Sequence, residues 1–153
     1  FDLNPSVKSK IRVLPYGLSE ENEEKQVLIA PNESVLNSLN KLGSENVSAN
    51  TDAQLMTASY RSWLSVLPDI MEQYQEKNCD LILKIDCEGC EHQMIPAWAE
   101  KGLLLKFKAI ILEWHRVHED LIRILQESGF QVVKTQQERH LGFPDTGMIY
   151  AVR

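Results

Sequence analysis

An α/β fold, a sheet with helices packed on it, is what this chain of 153 residues predicts, and three observations carry the prediction. Two short apolar runs, Leu81–Ile85 and Lys108–Glu113, are bounded by polar residues and suit strands buried on both faces of a parallel sheet. Each is accompanied by a segment with apolar residues at helical spacing, so strand and helix alternate. The chain then closes with two strand-like runs, Phe130–Thr135 and Met148–Val152, separated by a polar Gly/Pro loop, the pattern of an antiparallel hairpin.

In chain order, Lys10–Leu14 reads as a strand ended by Pro15-Tyr16-Gly17. Glu20–Lys25 reads as a charged turn, and Gln26–Ala30 as a further strand. Residues 31–58 are rich in Asn, Ser and Thr without sustained periodicity, which predicts loops. Tyr60–Lys77 reads as a helix with Trp63, Leu67, Ile70, Met71 and Tyr74 on one face, kinked or divided at Pro68. After the first apolar run, Glu91–Glu100 is a helix with Met94, Ile95 and Trp98 inward and Gly102 as its stop. Pro96 is expected to be tolerated there as part of a first turn. Glu119–Ser128 carries Leu121, Ile122 and Leu125 on one side and stops at Gly129. No internal repeat and no second domain is visible, so residues 1–153 are expected to form a single domain.

The composition excludes several function classes. A net charge of −6 leaves no clustered basic surface for nucleic-acid phosphates. No apolar stretch approaches the roughly 20 residues of a membrane span. Two glycosylation triplets, Asn32-Glu33-Ser34 and Asn46-Val47-Ser48, matter only in a secretory context. The cysteines, Cys79, Cys87 and Cys90, are odd in number and imply no complete disulfide framework. Cys87-x-x-Cys90 with His92 nearby admits a redox or zinc site, but four zinc ligands are not in view and no metal is assigned. Filling of small apolar positions beside a turn is the favoured reading of both cysteines.

The chemistry is expected where the first apolar run ends, at Asp86-Cys87-Glu88-Gly89-Cys90-Glu91. Ligands of parallel sheets bind beyond the carboxyl ends of the strands, and Gly89 permits a positive φ or a close approach. Asp86 and Glu113 would end adjacent strands about 4.8 Å apart, with His115 just beyond. Asp86 is the first choice for a reaction-centre residue, against the alternative of a helix N-cap. Glu88 either orients a substrate or serves a helix N-terminus. Glu91, in a first helical turn, is read as an acid that complements the helix dipole. Glu113 must be paired, exposed in a cleft or functional, because a buried lone carboxylate is costly. His115 is the best-placed base, since imidazole titrates near neutrality, although a capping histidine is the commoner role. His118 and His140 have no supporting context.

The segment Leu83-Lys84-Ile85-Asp86-Cys87-Glu88-Gly89-Cys90-Glu91 resembles the Leu-Lys-Ile-Asp-X-Glu-Gly-Ala-Glu signature of FkbM-type methyltransferases, with Cys90 in place of the usual alanine. Phe1-Asp2-Leu3-Asn4-Pro5 is similar to that family's Phe-Glu-Pro-Asn-Pro, and Tyr16-Gly17-Leu18-Ser19 to its Ala-Leu-Ser segment. Ile110–His115 is similar to its fifth strand, and Gly147–Arg153 to its last. The resemblance implies a Rossmann-like doubly wound sheet with helices on both faces, the C-terminal hairpin, and S-adenosylmethionine as cofactor. It implies that Asp2 holds the ribose, that Ser19 and Asp86 also meet the cofactor, and that Asp86, Glu88, Glu113 and His115 line the reaction cleft. The family's first strand and glycine-rich loop should precede Phe1, and the seven glycines include no G-x-G pair, so the chain reads as an N-terminally truncated fragment. The implied activity is O-methylation of a small molecule or a sugar. The alternatives are a non-catalytic interaction domain that retains the fold, and a redox or metal site on Cys87, Cys90 and His92.

Overall fold

A computed structural model of the chain describes residues 10–29, 54–75, 79–138 and 145–153. It comprises two compact units, Phe1–Trp63 and Leu64–Arg153, each with a sheet of its own. Asp2, both glycosylation triplets and most of the expected 31–58 loop lie outside the described residues.

The first unit holds β1 (Gly17–Ser19), β2 (Glu23–Ile29) and β3 (Gln54–Ser62), in the order β1-β3-β2. β3 is central, parallel to β1 and antiparallel to β2, with Tyr60 opposite both Gly17 and Glu23. Three local expectations fail here, and in each case long-range pairing overrides local pattern. Lys10–Leu14 is not a strand; Ile11 and Val13 are exposed, and the ladder takes Gly17–Ser19 instead. Glu23–Lys25 is strand rather than turn, because its backbone pairs with Ala58–Tyr60. Gln54–Ser62 is strand, so the loop expectation fails for 54–58 and the helix begins at Trp63 rather than Tyr60.

The second unit contains α1 (Trp63–Gln75, its first residue shared with the boundary), β4 (Ile82–Ile85), α2 (Glu91–Glu100), β5 (Ala109–His115), α3 (Glu119–Glu127), β6 (Gln131–Glu138) and β7 (Thr146–Val152). A short 3-10 turn, Leu103–Lys106, follows α2. Helix α1 runs through Pro68 without a break and buries Trp63, Val66, Leu67 and Met71. In α2, Pro96 is the sixth residue, hence in the second turn and not the first. Its missing N–H falls where the His92 carbonyl would otherwise be bonded.

Both expected glycine stops are real. Gly102 has φ of 66° just past α2, and Gly129 has φ of 84° just past α3. At α3 the Gly129 N–H donates to the Gln126 carbonyl at 2.9 Å and the Phe130 N–H to the Leu125 carbonyl at 3.0 Å, a Schellman closure. Phe130 and Leu125 are both buried, the apolar contact that accompanies this motif.

The second sheet has the order β4-β5-β7-β6. β4 and β5 are parallel, and β7 lies antiparallel between β5 and β6, so the terminal hairpin is present. One face of β5, formed by Ile110, Leu112 and Trp114, is buried with Ile95, Leu104, Leu121, Leu125 and Ile149. The other face, with Ile111 and Glu113, is half-buried, and Ile82 of β4 is 66% exposed. Burial on both faces is therefore not what β4 and β5 show. The architecture is mixed α/β with two mixed sheets. Among the described residues, no helix is long and apolar enough to cross a membrane.

Candidate active site

Parallel pairing places the acids. Ile85 of β4 stands opposite Leu112 of β5, so the next residues, Asp86 and Glu113, emerge side by side at the carboxyl ends of the two strands. Burial, then the negative charge of Asp86 and a hydrogen bond between the two side chains, raise the pKa of Glu113 above its ordinary value. The positive influence of His115 and Lys84 opposes that shift without cancelling it. Two carboxylates meeting this closely retain a proton more readily than either alone. Asp86 also pairs with Lys84 Nζ at 3.2 Å, an exposed contact of small energetic weight.

Beyond Asp86 the backbone turns sharply. Gly89 has φ of 104°, as its place in the sequence predicts, and Glu88 has φ of 52°, a left-handed conformation held by a non-glycine residue. Such residues cluster at functional sites. The turn delivers the chain into α2, whose first residue, Glu91, is fully buried.

Glu91 is the centre of the arrangement. Its Oε1 accepts the His115 backbone N–H at 2.8 Å and lies 3.1 Å from His115 Nδ1. Its Oε2 accepts the Gly89 N–H at 2.8 Å and lies 3.4 Å from Cys87 Sγ. An ionised carboxylate only accepts, so Nδ1 of His115 carries the hydrogen and Nε2 is left with a free lone pair. That Nε2 faces the exposed Glu88 carboxylate at 3.4 Å, a partner that gains strength when the ring is protonated. His92 Nε2 is 2.7 Å from the His115 carbonyl, an acceptor, which makes His92 the donor.

Asp86, Glu88, Glu113 and His115 thus lie around one strand-end region of the second unit. Ser19 lies in the first unit, buried, with its hydroxyl donating to the Glu21 carbonyl. The reading of Glu91 as an acid serving the helix dipole is corrected: its carboxylate turns back from α2 and grips His115. The sequence signal for it was the second acid of the Glu88-Gly89-Cys90-Glu91 string, but a first-turn acid looks the same whether buried or exposed. The packing role assigned to the cysteines is also corrected, because Cys87 and Cys90 are joined in a disulfide. Cys79 is free and exposed. Among the described residues, no group of three or more His, Cys, Asp or Glu side chains is arranged to hold a metal ion.

The family described as the Methyltransferase FkbM domain matches residues 6–132, a span that includes every residue of this cluster. Asp2 and β7 fall outside the matched span. No curated protein and no solved structure matches the chain.

Proposed function

The chain belongs to the FkbM methyltransferase family, and from that premise we propose that it transfers a methyl group from S-adenosylmethionine to a hydroxyl of a small molecule or sugar. The observation that carries the reading is the Glu91–His115 pair beside Asp86 and Glu113 at the carboxyl ends of two parallel strands. Open α/β sheets bind their ligands in that position. The half-sheet β4-β5-β7-β6, with β7 antiparallel, is consistent with one side of a doubly wound methyltransferase sheet.

The donor set fits the cofactor's chemistry. Half-exposed carboxyl groups offer acceptors to ribose hydroxyls and a negative field to a sulfonium cation. When bound, the cofactor supplies an electrophilic methyl carbon and a neutral thioether leaving group. Asp86, at the end of β4, is assigned to holding it. His115 Nε2 accepts the proton of the attacking hydroxyl, with Glu91 fixing the ring and Glu88 balancing the charge that develops. Glu113, whose pKa is raised by burial and by the neighbouring Asp86, lines the cleft beside the acceptor.

Calorimetric titration with S-adenosylhomocysteine tests this. Binding near one per chain, weakened by Asp86→Asn, is the expected result. No binding by a demonstrably folded chain overturns the reading in favour of an interaction domain that keeps the fold without the activity.

A further inference from the structure

Cys87, Glu88, Gly89 and Cys90 form a four-residue turn closed by the Cys90 N–H donating to the Cys87 carbonyl at 3.3 Å. Both central residues have positive φ, as in a type I′ turn. That geometry sets the outer Cα atoms 5.6 Å apart, within the span a disulfide needs, and the two sulfurs are bonded. Gly89 takes its conformation freely, whereas Glu88 is held in one that side chains disfavour. The carboxylate of Glu88 meets Nε2 of His115, and Cys87 Sγ touches the Glu91 oxygen that is not on the imidazole. The bond between the cysteines therefore straps together the two acids that flank the ring.

We propose that Cys87 and Cys90 are a reversible dithiol–disulfide couple whose oxidation state sets how Glu88 and Glu91 hold His115. Both cysteines are half-buried, so a small thiol can reach the bond. The reductant is a dithiol. One of its thiolates attacks Cys87 Sγ, the S–S bond breaks, and Cys90 leaves as thiolate. Cys90 is the better leaving group because it occupies the N-cap of the ten-residue α2, where unpaired amides favour negative charge, while Cys87 faces a carboxylate. The reductant's second thiolate then displaces Cys87 from the mixed disulfide. Two electrons and two protons pass to the protein, and the reductant leaves as its own disulfide.

The two states differ at Glu91. In the disulfide, Cys87 has no hydrogen to give, and Oε2 relies on the Gly89 N–H. In the dithiol, the Cys87 S–H donates across the same 3.4 Å contact, and Glu88 is released to leave its left-handed conformation and withdraw from Nε2. The couple is read without cofactor or acceptor, so it stands or falls separately from methyl transfer.

The test is a redox titration of the folded chain in graded reduced and oxidised dithiothreitol, followed by thiol counting and by NMR of the histidine ring signals. The expected count is one reactive thiol, Cys79, in the oxidised limit and three in the reduced limit, with the change reversible. The His115 ring signals should shift over the same range while those of His118 stay in place, and Cys90→Ser should hold the His115 signals at their reduced position. Cysteines that stay reduced both under oxidised dithiothreitol and under a stronger thiol oxidant such as diamide overturn the proposal. So does a bond that reduces without moving the His115 signals, or one that opens only when the chain unfolds.

Discussion

Helices α2 and α3 begin alike in sequence and differently in structure. Each follows a strand and a short turn, each opens on a glutamate, and neither has a side-chain cap. Glu119 of α3 is exposed, and backbone N–H groups, its own first and then that of His118, lower its pKa. This is the ordinary service of an acid to a helix dipole. Glu91 of α2 is fully buried and spends its oxygens on His115, Gly89 and the neighbourhood of Cys87. The difference lies in what precedes each helix. Two consecutive positive-φ residues, Glu88 and Gly89, precede α2 and set Glu91 against His115 at the end of β5. A single one, Arg116, precedes α3, whose first two acids are exposed. An acid at a helix start thus becomes a site organiser only where the chain before it supplies donors on the inner side.

The comparison breaks most sharply at the acids themselves. Glu91→Ala leaves the His115 and Gly89 donors buried without an acceptor and should cost about 3 kcal/mol or more. Glu119→Ala should leave the urea midpoint almost unchanged; denaturation of both variants side by side checks the pair. The two histidines sharpen it next. His115→Ala should slow formation of S-adenosylhomocysteine with hydroxylated acceptors by about 100-fold, the low end for loss of a general base. His118→Ala, whose ring stacks on Trp114 at 4.2 Å, should leave that rate close to wild type.

A third variant asks how far the His115 end of β5 depends on its partner strand. Gly147 lies opposite Trp114, and a Cβ there would run into the Trp114 ring and the Gln136 carbonyl. Gly147→Ala should therefore cost about 2 kcal/mol through overpacking, measurable as a lowered Tm. The smallest effect is a pH dependence. Because the pKa of Glu113 is raised in the fold, the folded state holds more protons than the unfolded one between the ordinary glutamate value and the raised one. Stability should fall as pH rises through that window, and Glu113→Gln should remove this part of the slope. Glu119, whose pKa is lowered, acts in the opposite sense: its contribution is present above the ordinary value and fades as pH falls through the lowered one. Thermal melts of the two variants across the acid range distinguish them.

Much of the second unit was legible because its signals are local. The α2 boundaries, the glycine stops at 102 and 129, and the hairpin pattern each depend on residues a few positions apart. The adjacency of Asp86 and Glu113 was legible from two apolar runs ending in acids. The first unit was much less so. Tyr60 joins a strand because Gly17 and Glu23 pair with it, and nothing within the neighbouring residues announces partners about 40 positions away. Glu91 was missed for a related reason, since its meaning depends on His115, which the register of β5 and the turn at Gly89 bring to it.

The insertion of β7 between β5 and β6 has a consequence for how the chain reaches its fold. Strands leave the ribosome in the order β5, β6, β7, yet β5 and β6 have no ladder with each other; both bond to the strand made after them, and β5 has only β4 on its other edge until then. Hydrophobic β5 must therefore wait with one backbone edge open while more than thirty further residues are synthesised, since Ala109 pairs with Val152. This four-stranded sheet is assembled by a late-arriving keystone and not by sequential addition. Its slow step in refolding should be the long-range closure of β7, and during translation the waiting edge of β5 is where a chaperone has most to protect.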